Sequence, residues 1–213
     1  MKHIALLTTL LLSASLQAVE KPYDYVFFEN SLMKGDYFYS QAKYTSPSWI
    51  KNARHHLPVA GSVAFTPGNS LELTYVSAPG GDWYSEIQYC PVRGNDFFRE
   101  PSTLSMQVRL RESMNAAALP NIAIRYADST YTQYLNLRNY LKDTRPGVWH
   151  SVSIPLEDFG LNAVNDTNIK KLAAVALRPG TADGNEYTIY LDDIELLPAS
   201  LPSVSALNAP VLQ

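Results

Sequence analysis

From Leu104 to Arg111 the chain alternates without a break, with Leu104, Met106, Val108 and Leu110 set against Ser105, Gln107, Arg109 and Arg111. A period of two puts every second side chain on the same face of an extended segment, so one face is dry and the other wet. Such a strand is stable only when a second apolar layer covers its dry face. Leu71-Glu72-Leu73-Thr74-Tyr75 repeats the pattern. Asn121–Ala127 and Tyr131–Leu137 flank Asp128-Ser129-Thr130, which predicts a hairpin. Val148–Ile154, Lys171–Arg178 and Tyr187–Leu197 read as later strands, and Tyr25–Glu29, Tyr37–Lys43, Ser62–Phe65 and Trp83–Tyr89 as earlier ones. Pro67-Gly68, Pro79-Gly80-Gly81, Pro146-Gly147 and Pro179-Gly180 fall between these runs, where turns need them. The best helical fragment is Ala116-Ala117-Ala118, stopped by Pro120, and Pro155–Leu161 reads as one helical turn or a tight loop. The expectation is an all-β protein, an antiparallel β-sandwich.

The 213 residues suffice for one sandwich with a continuous core. At the amino end Lys2 and His3 precede an apolar run from Ile4 to Leu12, and Leu16-Gln17-Ala18 offers a small-residue cleavage site. Residues 1–18 therefore read as a secretory signal, and the run is too short to span a bilayer. No cysteine lies near the cleavage point to carry a lipid, so the expected location is periplasmic or secreted. Cys90 is the only cysteine, which excludes an internal disulfide and leaves the core, or a metal, to stabilise an exported chain. Its expected role is a small buried hydrophobe. The net charge of −3, with no run of either sign, lacks the basic footprint that nucleic acid or an anionic membrane requires. Tyrosine, at 14 copies, suits strands and also suits sugar faces. Residues 19–198 form the expected domain. The uncharged Ser/Pro/Ala/Leu stretch 199–213 reads as a linker, looking like the entry to a following fibronectin-type domain.

Two segments carry a resemblance. Trp149, Val152, Ile154, Pro155, Leu156 and Phe159 form a Trp, an alternating apolar pair and Pro-Leu-x-x-Phe. Tyr190, Leu191, Asp192, Asp193 and Ile194 form an aromatic, an apolar residue and Asp-Asp-Ile. Together with Phe28-Glu29-Asn30 they resemble the jelly-roll carbohydrate-binding modules, of galactose-binding-like fold, found beside bacterial glycoside hydrolases. The match is firm over roughly the last 50 residues of the domain. It implies a jelly roll whose first and last strands are neighbours, and a structural Ca²⁺ joining them, with Glu29, Asp192 and Asp193 as carboxylate ligands. The same residues also read as a solvated strand end.

Sugar recognition needs flat apolar rings beside forked hydrogen-bonding groups. Trp83 and Tyr84 follow a Pro-Gly-Gly turn, with Glu86 and Gln88 on the face of Tyr84. Gln107, Arg109, Arg125, Tyr134, Asn136 and Arg138 are further polar-face positions on neighbouring predicted strands. If those strands share a sheet, the set lines a groove; otherwise it is an ordinary wet face. His55-His56 makes no metal pair, since adjacent strand residues point to opposite faces. Arg109-Leu110-Arg111-Glu112 superficially resembles an alginate lyase strand, but the companion Gln-Ile-His and Tyr-Phe-Lys motifs are absent. Glu86 and Asp128 supply carboxyl groups, though nothing in the sequence opposes them across a cleft as a glycosidase needs. The expected function is a secreted, non-catalytic module that binds a poly- or oligosaccharide and holds a glycoside hydrolase near it. The alternatives are a ligand-free structural sandwich and a jelly-roll lyase.

Overall fold

The computed structural model describes residues 25–29, 34–90, 101–162 and 171–198. The expected signal at 1–18, Asn30 and the tail 199–213 lie outside the described residues. The strands are β1 (Tyr25–Phe28), β2 (Ser40–Thr45), β3 (Trp49–Ile50), β4 (Val59–Ala60), β5 (Ser70–Val76) and β6 (Asp82–Gln88). They continue with β7 (Pro101–Leu110), β8 (Asn121–Tyr126), β9 (Leu135–Asn136), β10 (Trp149–Pro155), β11 (Leu172–Arg178) and β12 (Glu186–Pro198). One sheet runs β10-β7-β12-β5-β3, with β1 added to β12 and β4 to β5, and the other runs β2-β6-β11-β8-β9. Every pairing between these strands is antiparallel. The fold is the expected two-sheet sandwich.

The alternation in β7 does what its period dictates. Leu104, Met106, Val108 and Leu110 are buried, while Ser105, Gln107 and Arg109 lie on the outer face. From the facing sheet Trp83, Ile87, Ile122, Ile124, Val175 and Leu177 meet them at 1% exposure or less. Removing such side chains from water stabilises the fold by roughly 1.5–3 kcal/mol each, an upper value because the unfolded chain already hides some of that surface. The 13-residue β12 is the spine of its sheet. Glu186–Leu191 pair with β5, and Tyr25–Phe28 pair with the later stretch around Ile194–Leu196. Between the two stretches the register on β7 shifts from Asp192 to Glu195, and Asp193 takes a left-handed φ of 45°. An extra residue bends the strand there, and the Asp192–Asp193 corner meets the loop that precedes β5.

Several local expectations give way. Ser62–Phe65 is a loop, because Phe65 N and Thr66 N donate to the Asp192 carboxylate instead of to a neighbouring strand. Tyr131–Leu137 keeps only a bridge at Tyr131 and the two-residue β9, then becomes a 3-10 turn over Leu137–Asn139. Tyr37–Lys43 enters the sheet only at Ser40. The short edge pieces β3 and β4 were not expected. Ala116–Ala118 is a 3-10 turn whose Asn115 side chain accepts from Ala117 N at 3.0 Å. Leu156–Phe159 is another 3-10 turn, closed by Gly160 at φ 81°. Cys90 is buried and free. His55 sits in a left-handed turn (φ 69°), and no strand holds the two histidines.

Candidate functional site

The outer face of the five-stranded sheet gathers the richest set of polar and aromatic groups among the described residues. Register places them in rows. Lys43 pairs with Tyr84, Gln41 with Glu86, and Glu86 in turn with Ala176, which pairs with Ala123. One row further along, Gln88 pairs with Ala174, Ala174 with Arg125, and Arg125 with Tyr131. At the other end Arg178 pairs with Asn121, and Asn121 with Asn136. The centre of the face is therefore floored by Ala123, Ala174 and Ala176, all buried at 2% exposure or less. Short side chains flanked by long ones make a depression.

Long side chains from both sides close over that floor. Tyr131 donates its hydroxyl hydrogen to Glu86 Oε1 at 2.7 Å, and Arg125 Nε lies 3.1 Å from the same oxygen. Glu86 is only 5% exposed, so its charge needs Arg125 beside it. Burial, with the Glu86 hydrogen bond second, pushes the Tyr131 phenol up to about 12. The phenol therefore stays protonated as a donor throughout the neutral range.

A second group lies beside the first. The Arg178 guanidinium sits 5.8 Å from the centre of the Tyr84 ring and 5.9 Å from that of Tyr134. Its Nε donates to the Tyr134 hydroxyl at 3.1 Å, and one terminal nitrogen donates to Asp82 Oδ2 at 2.8 Å. Lys43 Nζ lies 5.8 Å from the Tyr84 ring centre. Tyr131 and Tyr134 are 6.0 Å apart, centroid to centroid, with planes within 29° of each other. Both remain more than a third exposed. The result is a pair of near-parallel rings beside a guanidinium fixed by two bonds. Three of its five N–H groups are outside those bonds.

Tyr84, Glu86, Gln88, Arg125 and Tyr134 are thus gathered on one face. Trp83 is not with them. It is 1% exposed, packs 4.8 Å from the Tyr75 ring and donates Nε1 to Ser77 Oγ. It shares its strand parity with Ser85 and Ile87, which are core residues, so period two forces it inward. Gln107 and Arg109 lie on the opposite sheet, on its outer face. Asn136 is engaged locally, its amide donating to Leu119 O and Asn121 Oδ1 and its oxygen accepting from Arg138 N. Arg138 stands exposed on a 3-10 turn beyond the sheet. Lys43, Asp82, Tyr131 and Arg178 complete this face without being among the expected residues. Arg178 was legible, since Ala174, Ala176 and Arg178 alternate with the core residues Val175 and Leu177.

The expected calcium ligands sit at the β12 bend. Asp192 is fully buried, and its carboxylate accepts from Phe65 N at 2.8 Å, Thr66 N at 3.2 Å and Asp193 N at 2.9 Å. Burial raises its pKa to about 6 against the pull of those amides. Asp193 accepts from Thr66 Oγ1 at 2.8 Å, and its Oδ1 is buried with no hydrogen-bond partner. Glu29 follows Phe28, which pairs with Ile194. Among the described residues no group of three or more His, Cys, Asp or Glu is placed to hold a metal. Asp192 is occupied by amides, whereas the Asp193 Oδ1 has no hydrogen-bond partner among the described residues.

An antiparallel sandwich with rings and forked donors on an open sheet face has the architecture of a carbohydrate-binding module. The chain belongs to the carbohydrate binding domain 30 family, which it matches over residues 24–197. A β-1,2-glucanase from Parabacteroides distasonis of known crystal structure is 99% identical, with a TM-score of 0.83 over 91% of this chain. The chain spans only 28% of that enzyme's length. The family 30 module of the cellulosomal cellulase Cel9D-Cel44B of Clostridium thermocellum is 16% identical, with a TM-score of 0.55 over 81% of this chain and 98% of that one. A family 11 module from the same organism, solved with a β-1,3-1,4-mixed-linked tetrasaccharide, is 13% identical with a TM-score of 0.52, over 81% and 95% of the two chains. With those two clostridial modules the likeness is one of fold.

Proposed function

We propose that this module binds a β-1,2-linked glucan across the outer face of the five-stranded sheet and keeps the catalytic part of a β-1,2-glucanase close to its polymer. The observation that carries the reading is the Tyr84–Arg178–Tyr134 group. Two rings stack on the C–H faces of pyranoses, and a guanidinium oriented by Asp82 and Tyr134 forks onto adjacent hydroxyls. The linkage comes from the near-identity to the Parabacteroides distasonis β-1,2-glucanase. A shallow face with few rings binds weakly, and tethering turns weak binding into a high local concentration of enzyme on substrate.

The carboxylates of this face support a non-catalytic role. Asp82 and Glu86 lie four residues apart on one strand, about 13 Å. Glycosidases place their pair roughly 5–9.5 Å apart. Each carboxylate is also held by an arginine. Export rests on the Lys2–Leu12 run and the Leu16–Ala18 cleavage pattern, and a mature amino terminus at or near Val19 tests it by mass spectrometry. A structural Ca²⁺ held by Asp193 and Glu29 is the remaining part of the reading, supported by the orphan Asp193 Oδ1. Added Ca²⁺ should raise Tm over chelator-treated protein, and an unchanged Tm ends the calcium reading.

Affinity electrophoresis through gels holding β-1,2-glucan, β-1,3-glucan or cellulose derivatives tests the main proposal. Retardation by β-1,2-glucan, strongly reduced in Tyr84→Ala and Tyr134→Ala with both variants folded, is the expected result. Retardation by another glucan alone would overturn the linkage. Retardation as strong as wild type with both substitutions in place would overturn the face.

A further inference from the structure

The seven-stranded sheet has an outer face of its own, and its register lines up a second row of sugar-compatible groups. Trp149 on β10 pairs with Arg109 on β7, Arg109 with Tyr190 on β12, and Tyr190 with Glu72 on β5. All four have the outward parity of their strands, since Val152, Val108, Leu191 and Leu73 fill the core from the alternate positions. The next row carries Ser151 and Gln107, joined by a 3.0 Å hydrogen bond from the hydroxyl to the amide oxygen. Two rings therefore flank a guanidinium, with an amide and a hydroxyl one step away.

A loop completes this patch. The Asp192 carboxylate holds the amides of Phe65 and Thr66. That grip sets the Phe65 ring edge-on to Trp149, 6.0 Å between centroids and 69° between planes. Phe65 stays 49% exposed. Arg109 Nε is buried and has no acceptor among the described residues. A buried donor left unmatched costs roughly 1–3 kcal/mol.

We infer that this face is a second, independent carbohydrate-binding surface for a neutral pyranose chain, carried by Phe65, Trp149, Arg109 and Tyr190. Its size favours a sugar over a protein partner. Phe65 is 49% exposed and Trp149 and Tyr190 are partly buried, so the three rings present at most roughly 300 Å², whereas a stable protein interface takes about 800 Å² from each partner. A sugar subsite needs only one or two rings. With sites on opposite sheets the module is bivalent and joins two chains, or two segments of one chain.

The inference stands on residues separate from those of the proposed face, and a double variant separates the two. The full chain carrying Tyr84→Ala and Tyr134→Ala is run against β-1,2-glucan by affinity electrophoresis and by titration of backbone NMR shifts. Residual binding, about ten-fold or more weaker than wild type, is expected, with shifts on β7, β10 and the 61–69 loop. Adding Phe65→Ala should remove it, and Arg109→Gln should weaken it several-fold, with the thermal melt unchanged for Phe65→Ala. Binding that stays at wild-type strength in the double variant and vanishes with Phe65→Ala would place the whole activity here, overturning the first face and upholding the second. No residual binding in the double variant, or residual binding indifferent to Phe65→Ala and Arg109→Gln, overturns the inference. A wild-type dimer by light scattering that Phe65→Ala dissociates, without glucan binding on this face, also overturns it, in favour of a protein contact.

Discussion

The outer faces of the two sheets are built from the same residue types but organised differently. On the five-stranded sheet the charges are paired in place, Glu86 with Arg125 and Asp82 with Arg178, and the rings lie against those pairs. On the seven-stranded sheet no ion pair holds Arg109 among the described residues, and the neighbouring ring of Phe65 comes from a loop held by one buried carboxylate. Binding at low entropic cost needs groups already fixed in their bound positions. The difference therefore predicts a strong, rigid first face and a weaker, loop-dependent second one.

The sharpest break of this comparison is between neighbours on one strand. Trp83→Ala opens a cavity in the core and should cost about 3–5 kcal/mol, seen as a large loss of urea midpoint. Tyr84→Ala should leave stability within about 1 kcal/mol and strongly reduce glucan retardation. Next in size is Glu86→Ala, which leaves Arg125 (16% exposed at its side chain) without its charge partner. A loss of about 3 kcal/mol is expected, together with loss of binding, because Tyr131 loses its anchor. If Glu86→Ala melts like wild type, the pre-paired face is not what holds the groove.

Smaller effects sharpen the other side. Burial raises the pKa of Asp192 from 3.8 to about 6, so the folded state keeps a proton that the unfolded chain has released. In chelator-treated protein stability should fall as pH rises from about 3.8 to about 6, then level off. Asp192→Asn should flatten that slope in a series of melts, and a slope that persists assigns it to other groups. Thr66→Val removes the hydroxyl donated to Asp193 and should cost about 1 kcal/mol, with first-face binding intact.

What the sequence showed, and what it hid, follows from period two. Alternation in β7 named its buried residues one by one, and the same rule marked Tyr84, Glu86 and Gln88 as sharing a face. It also contained the answer for Trp83, which shares parity with Ile87, but two adjacent rings after a turn looked like a platform. Alternation tells a wet face from a dry one and is silent about which sheet a strand joins. That is why the pattern alone groups Gln107 and Arg109 with residues that lie on the far side of the core. The 62–65 loop misled for another reason. Its Val63 and Phe65 alternate like a strand, yet Phe65 N and Thr66 N find their acceptor in a carboxylate 127 and 126 residues away. Gly81 shows how tightly such turns are fixed, since a Cβ there would lie 2.2 Å from Ser48 N.

The most direct test of the central claim is a calorimetric titration of the mature chain with β-1,2-glucan, wild type beside the folded Tyr84→Ala/Tyr134→Ala variant. The account predicts saturable binding by the wild type and at least a ten-fold loss in the variant. Equal isotherms for the two proteins, or no heat from either with a glucan of any linkage, would contradict it.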